Sequence, residues 1–207
     1  MTKAALPDPA LPLFPLRTVL FPDGLLELKI FETRYLDLMS LCMREQRPFG
    51  VIALKSGGEA RVSHEGVAFY EVGTLAELVD VDSAEANILL VRCRGRQRFV
   101  LGATRQQADG LWLGEATAVA NDPMVAPSAA HANAVKSLAD ATRTLEAQGA
   151  HPFLAPHRFD DAGWVANRWC EILPLPLEAR QRLMTLADPL GRLDIIDSLM
   201  RTRQVAP

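Results

Sequence analysis

The feature that most constrains this chain is a change of hydrophobic period near residue 122. Before it, short runs rich in Val, Leu and Phe alternate with turn residues, as strands do; after it, Ala, Leu, Arg and Glu recur at helical spacing. Asn121-Asp122-Pro123 and Pro127 mark the change, because the residue before a proline is pushed out of the helical region. Two parts are expected: a β-rich one over 1–122 and a helical one over 123–207, with a proline-containing linker too short for free motion. A chain of this mass buries about 70% of its unfolded surface, so cores need no metal or disulfide staples.

In the first part, Leu11–Leu16 reads as a strand and Pro22-Asp23-Gly24 as a turn, with Gly24 suited to a positive φ. Leu26, Leu28 and Ile30 alternate with Glu27 and Lys29, the pattern of a half-buried strand. Phe31, Tyr35, Leu38, Met39 and Cys42 share one helical face, so an amphipathic helix follows, ended by Pro48, and 48–54 resumes as a strand. Val72–Val81 and Ile88–Val100 read as long strands around a polar tip at 82–87, and Leu111–Val119 as a last strand entered through Asp109-Gly110. About six strands, one helix and no βαβ rhythm predict an α+β chain: a mainly antiparallel sheet curled into an open barrel or sandwich, then a helical bundle.

The second part predicts four helices. Ser128 is placed to cap the first, with Val135, Leu138, Thr142 and Leu145 inward up to Gly149. Asp160 or Asp161 caps the second, which buries Trp164, Val165, Trp169 and Ile172 before Pro174. The third spans about 176–187 with Leu177, Leu183, Met184 and Leu186 inward. Asp188-Pro189 opens the fourth, with Leu190, Leu193, Ile195, Ile196 and Leu199 inward. Short connections let the four pack as one bundle.

Function classes fall away by composition. Lys+Arg 22 against Asp+Glu 25 leaves a net charge of −3, so bulk attraction to nucleic acid or an anionic membrane is not expected. No apolar run, Ile88–Val91 among the longest, approaches the about 20 residues of a membrane span. Pro7, Pro9, Pro12 and Pro15 interrupt any signal-peptide core. Cys42, Cys93 and Cys170 are an odd, sparse set that makes neither a disulfide framework nor a zinc knuckle, which points to a reducing cytoplasm. Each falls at an apolar position and reads as a small hydrophobe.

Catalytic motifs are absent from the sequence: no P-loop, no G-x-S-x-G elbow, no H-E-x-x-H helix. Ser56-Gly57-Gly58-Glu59 lacks the pattern that would make it a phosphate cradle. His64, His131, His151 and His157 match no common zinc spacing, so no metal and no cofactor are expected. A serine–histidine–aspartate set could still meet in space, since triads leave no fixed sequence order.

Arg92, Arg94, Arg96 and Arg98 would share one face of a regular strand. They read either as an anion or nucleic-acid stripe or as a ladder neutralised by the facing strand. A hairpin folded about Ala84/Glu85 places Glu77 opposite Arg92, with Asp80 and Glu71 nearby, and a bulge at Gly95 would break the stripe. The neutralised ladder is the reading preferred here. For a peptide lying on exposed apolar surface near the junction of the two parts, Phe69, Tyr70, Trp112, Phe153 and Phe159 are the candidate anchors, each of which also suits a core.

With these motifs placed, the chain resembles the N-terminal substrate-binding domain of Lon protease in a stand-alone bacterial form. The carrying segments are LPLFPLRTVLFPDG (11–24), LKIFETRYLDLM (28–39), PFGVIAL (48–54), VGTLAELVDVD (72–82), RGRQRF (94–99), Glu171-Ile172-Leu173-Pro174 and ADPLGRLDIIDSLM (187–200). Asp23 departs from the family's phenylalanine–proline–glycine turn, which implies a wider turn. The resemblance implies a β pseudo-barrel followed by a helical bundle. It implies a non-catalytic module that recognises unfolded or degron-bearing polypeptide, with a separate protease as a further partner and without the ATPase and protease domains of full-length Lon. Two other readings stand beside it: a hydrolase or small-molecule site in a cleft between the halves, and an anion or nucleic-acid binder at Arg92–Arg98.

Overall fold

The computed structural model describes residues 10–57 and 66–205, so Pro7, Pro9, Gly58, Glu59 and His64 of the sequence reading lie outside the described residues. Among the described residues the architecture is α+β: seven strands in a mostly antiparallel sheet, then helices. Contacts divide the chain into two compact units, Met1–Asn121 and Asp122–Pro207.

The first unit contains β1 (Leu11–Leu16), β2 (Leu25–Ile30), α1 (Thr33–Glu45), β3 (Phe49–Ser56), β4 (Ala68–Phe69), β5 (Val72–Glu85), β6 (Ile88–Gln106) and β7 (Trp112–Ala118). Hydrogen-bonded neighbours run β1-β7-β6-β5-β3, and β1 also pairs with β3 in parallel, which closes the circuit into a five-stranded barrel. The open barrel or sandwich expected from the sequence is thus a closed one. Closure pairs these strands on both sides where they form the barrel, though not where β5 extends past Ala76. β2 adds to β6 outside this circuit, and β4 to β3.

Alternation sorts the strand residues onto two faces. Leu11 and Leu13 of β1, Ile52 of β3, Leu75 of β5 and Phe99 of β6 meet in one buried cluster to which all but β7 contribute core residues, and Trp112 and Ala116 of β7 pack against it. This is the barrel interior, and it has no room to spare. A Cβ at Gly50 would stand 2.8–2.9 Å from Leu11, Leu13 and Phe99 side-chain atoms. The opposite face, with Phe14, Phe49, Val51, Val91 and Cys93, packs against Tyr35, Leu38, Met39 and Cys42 of α1. Phe14 stacks on Tyr35 with ring centroids 4.1 Å apart. Phe31, expected on the buried face of this helix, precedes it and is 65% exposed, because it continues the outward alternation of β2 beyond Ile30.

β6 changes face midway. Val91 and Cys93 point to the α1 side, whereas Phe99 and Leu101 fill the barrel. The register explains the flip: Ala76 pairs Gly95 and Thr74 pairs Arg98, so β6 carries one extra residue there. The turn before β2 approaches at this point. Asp23 N–H donates to Gly95 O at 2.8 Å, and Gly95 N–H to Gly24 O at 2.9 Å. The positive φ of this turn falls on Asp23 (58°), not on Gly24 as expected.

The second unit contains α2 (Ala132–Ala147), α3 (Ala162–Ile172), α4 (Leu177–Thr185) and α5 (Pro189–Val205), with a 3₁₀ turn at Ala129–His131 before α2. Asp161 caps α3, its carboxylate accepting from Gly163 N–H at 2.9 Å. Trp169 Nε1 donates to Ala134 O at 3.1 Å and ties α3 to α2. Ile172, Ile195 and Leu199, expected inward, are 39%, 44% and 36% exposed. On α5 the inward face instead carries Arg192 and Asp197 beside Leu193 and Ile196. Arg192 is drawn in by acceptors: Leu183 O at 2.9 Å and Leu186 O where α4 ends, Asn167 Oδ1 at 2.9 Å and Asp122 Oδ2 at 2.8 Å. It satisfies carbonyls that a helix end leaves open.

Candidate functional site

The early half of β6 joins β2 and β5 in a three-stranded ribbon whose far face looks away from α1. Alternation places Glu27 and Lys29 of β2, Leu90, Arg92 and Arg94 of β6, and Glu77, Asp80 and Asp82 of β5 on that face. Arg92 lies opposite both Glu27 and Asp80, and Arg94 opposite Glu77. The expected Glu77–Arg92 pairing is displaced because the hairpin turns at Ala86-Asn87 and β5 bulges between Leu78 and Asp80.

The arginines do not form a single stripe. Arg92 Nε lies 3.3 Å from Glu27 Oε1, and Arg96 binds Glu77. The hydrogen bond from Arg96 holds the Glu77 carboxyl below its usual range, and the same bond raises the guanidinium. Arg98 is buried, turned to the other face by the extra residue, and donates to Ala120 O at 3.3 Å. Four positions that alternate in sequence are therefore split between two faces and occupied by the fold itself.

The five candidate anchors fall into two groups, one in each unit. Phe69 and Trp112 meet edge to face at 5.2 Å against the barrel interior, half-buried, and Lys55 Nζ lies 5.3 Å from the Tyr70 ring centroid. Phe153 is buried rather than exposed, edge-on to Trp164 at 6.0 Å. Phe159 is half-buried and meets the same Trp164 at 5.2 Å. These rings serve the packing of their own units.

What stands out to solvent is a different set. Phe31, Leu90 and Val79, the last being the extra residue of the β5 bulge, are 65%, 45% and 48% exposed on the ribbon. Two strand edges accompany them. Among the described residues β2 pairs only with β6, and β5 pairs with β3 only over 74–76, which leaves 77–85 open on that side. At the start of this open edge lies a cavity of about 530 Å³ lined by Cys42, Met43, Gln46, Arg47, Glu77 and Leu78. Sequence periodicity marked Leu90 and Val79 as strand residues but did not show which face they take. The signal available was the charged neighbours on either side of Leu90 across the ribbon, Lys29 and Asp82.

The cysteines are muted as nucleophiles. Burial pushes the Cys42 thiol up to about 11, and those of Cys93 and Cys170 up to about 12, so none is a thiolate near neutrality. Among the described residues no group of three or more His, Cys, Asp or Glu is placed to hold a metal ion. Among the same residues no helix is long and apolar enough to cross a membrane.

A closed barrel with an appended open-edged ribbon, followed by a helical unit, defines an α+β protein built on a β-barrel scaffold. The family model described as the ATP-dependent protease La (LON) substrate-binding domain matches residues 10–202, and the chain belongs to that family. A crystal structure of a Lon N-terminal domain protein from Xanthomonas campestris is similar at TM-score 0.72 and 31% identity, covering 91% of this chain and 97% of that one. The N-terminal domain of the Mycobacterium avium complex Lon protease shares the fold at TM-score 0.61 and 16% identity, covering 90% and 95% of the two chains. Comparison with curated proteins gave no match.

Proposed function

We propose that this protein captures unfolded or degron-bearing polypeptide on the β2–β6–β5 ribbon and presents it to a separate protease in the cytoplasm. The observation that carries the reading is the conjunction of exposed Phe31, Leu90 and Val79 with two strand edges that have no pairing among the described residues. An extended segment can add main-chain hydrogen bonds along an edge while its side chains rest on apolar neighbours. Membership of a substrate-binding family and the three free, buried cysteines fit a polypeptide binder in a reducing compartment. Capture of this kind needs no bond-making step.

The test is fluorescence anisotropy of a labelled, reduced and carboxymethylated polypeptide that stays unfolded. Burying one such side chain contributes about 1–2 kcal/mol, so Phe31→Ala and Leu90→Ala should each weaken binding about 5- to 30-fold. Both residues are exposed, so the melting temperature should hold. Unchanged affinity in both variants, or a loss only in Trp112→Ala, contradicts the proposal.

A further inference from the structure

The helical unit brings a sequence-distant carboxylate to a serine and histidine three residues apart. Ser128 precedes the 3₁₀ turn, His131 ends it, and Asp194 lies on α5. His131 Nε2 is 2.7 Å from Asp194 Oδ1, while Nδ1 is 3.0 Å from Ser128 Oγ and 3.2 Å from Ser128 N. A backbone N–H can only donate, so Nδ1 is the acceptor nitrogen, and the proton of the neutral ring sits on Nε2 facing Asp194. This tautomer leaves the Nδ1 lone pair directed at the Ser128 hydroxyl. The imidazole side chain is 4% exposed, whereas Ser128 is open to solvent. A capping box accounts for the Ser128–His131 bonds, but it does not call for a carboxylate 63 positions away.

We propose that Ser128 is a reactive nucleophile for small carboxylic esters, with His131 as its general base and Asp194 as a positioning residue, an activity apart from polypeptide capture. Ser128 Oγ forms a bond to the acyl carbon and passes its proton to His131 Nδ1. The bond from that carbon to the alcohol oxygen then breaks, and the leaving alkoxide takes the proton. Water, deprotonated by Nδ1, attacks the acyl-serine, releasing the carboxylic acid and restoring the hydroxyl. Because the Ser128 N–H shares the Nδ1 lone pair, acylation is slow, and covalent labelling reads it better than turnover.

The experiment incubates the full chain with p-nitrophenyl acetate or a fluorophosphonate and maps adducts by peptide mass spectrometry. The expected result is an adduct on Ser128 forming at least tenfold faster than on Ser198, an exposed serine of the same unit. It should vanish in Ser128→Ala. Labelling should slow at least tenfold in Asp194→Asn and recover in Asp194→Glu, with melting temperatures unchanged in both. Labelling of Ser128 no faster than Ser198 in the unmodified protein overturns the proposal without recourse to any variant. Full-speed labelling in Asp194→Asn overturns it as well.

Discussion

Replacing Gly95 with alanine tests how the ribbon is held to the barrel. A Cβ at this position would overlap the Phe21 carbonyl oxygen outright and stand 3.0 Å from the carbonyl carbon. The obstacle is backbone, so relief requires the 21–24 turn to move away from β6. That movement breaks the Asp23–Gly95 and Gly95–Gly24 hydrogen bonds, 2.8 and 2.9 Å long. Each is worth about 1 kcal/mol net, and the displaced packing adds about 1–2 kcal/mol. The expected loss is about 3–4 kcal/mol, a fall of about 10 °C in melting temperature for a chain of this size. Circular dichroism melts and urea titrations of Gly95→Ala and Gly102→Ala provide the assay. At Gly102 the nearest atoms to a Cβ are Glu115 Cβ at 3.1 Å and Oε2 at 3.3 Å. The carboxylate can turn aside and the two exposed strands need give by only a few tenths of an ångström, so this variant should stay within about 1 kcal/mol of the parent. If Gly95→Ala also unfolds within about 1 kcal/mol of the parent, the turn is not pinned to β6 as described.

Arg192→Ala should destabilise the helical unit by about 3–5 kcal/mol in urea titration, because it removes the buried guanidinium to which Asp122, Asn167 and two carbonyls are bonded. The thiols should react with a disulfide reagent only as fast as the protein opens. Their folded values lie above 9.0, so the unfolded chain loses protons first and stability should decline as pH rises above about 9, read as a falling urea midpoint. Glu77→Gln should cost no more than about 0.5 kcal/mol at neutral pH, since the Glu77–Arg96 pair is 52% and 43% exposed. The Glu77 carboxyl is held below its ordinary value, so its contribution is present above that value and lost as pH falls through the folded one. The difference between Glu77→Gln and the parent should therefore close in acid.

The strand and helix sequence was legible because its causes are local: Leu26, Leu28 and Ile30 alternate, Tyr35, Leu38 and Cys42 recur at helical spacing, and Pro48 stops a helix. What escaped was set by tertiary contacts. The bulge anticipated at Gly95 is present as an extra residue before Arg98, but its larger consequence, that Phe99 fills the barrel, depends on a register the sequence did not show. Hydropathy ranked Ile195 and Leu199 above Arg192 as core residues, and the open carbonyls at the end of α4 reversed that order. The candidate surface was missed for a related reason. Aromatic residues drew attention to Phe69, Trp112 and Phe153, whereas exposure depends on which neighbour covers a ring, and Phe31 precedes the helix that would have turned it inward.

The central claim is that polypeptide is held along the open edges of the ribbon. Amide hydrogen exchange followed by mass spectrometry, with and without saturating carboxymethylated polypeptide, tests it directly. The account predicts slowed exchange in 25–31 and 77–85, where unpaired strand edges would gain partners. Client bound with no added protection in either segment, or with protection confined to 153–159, would contradict it.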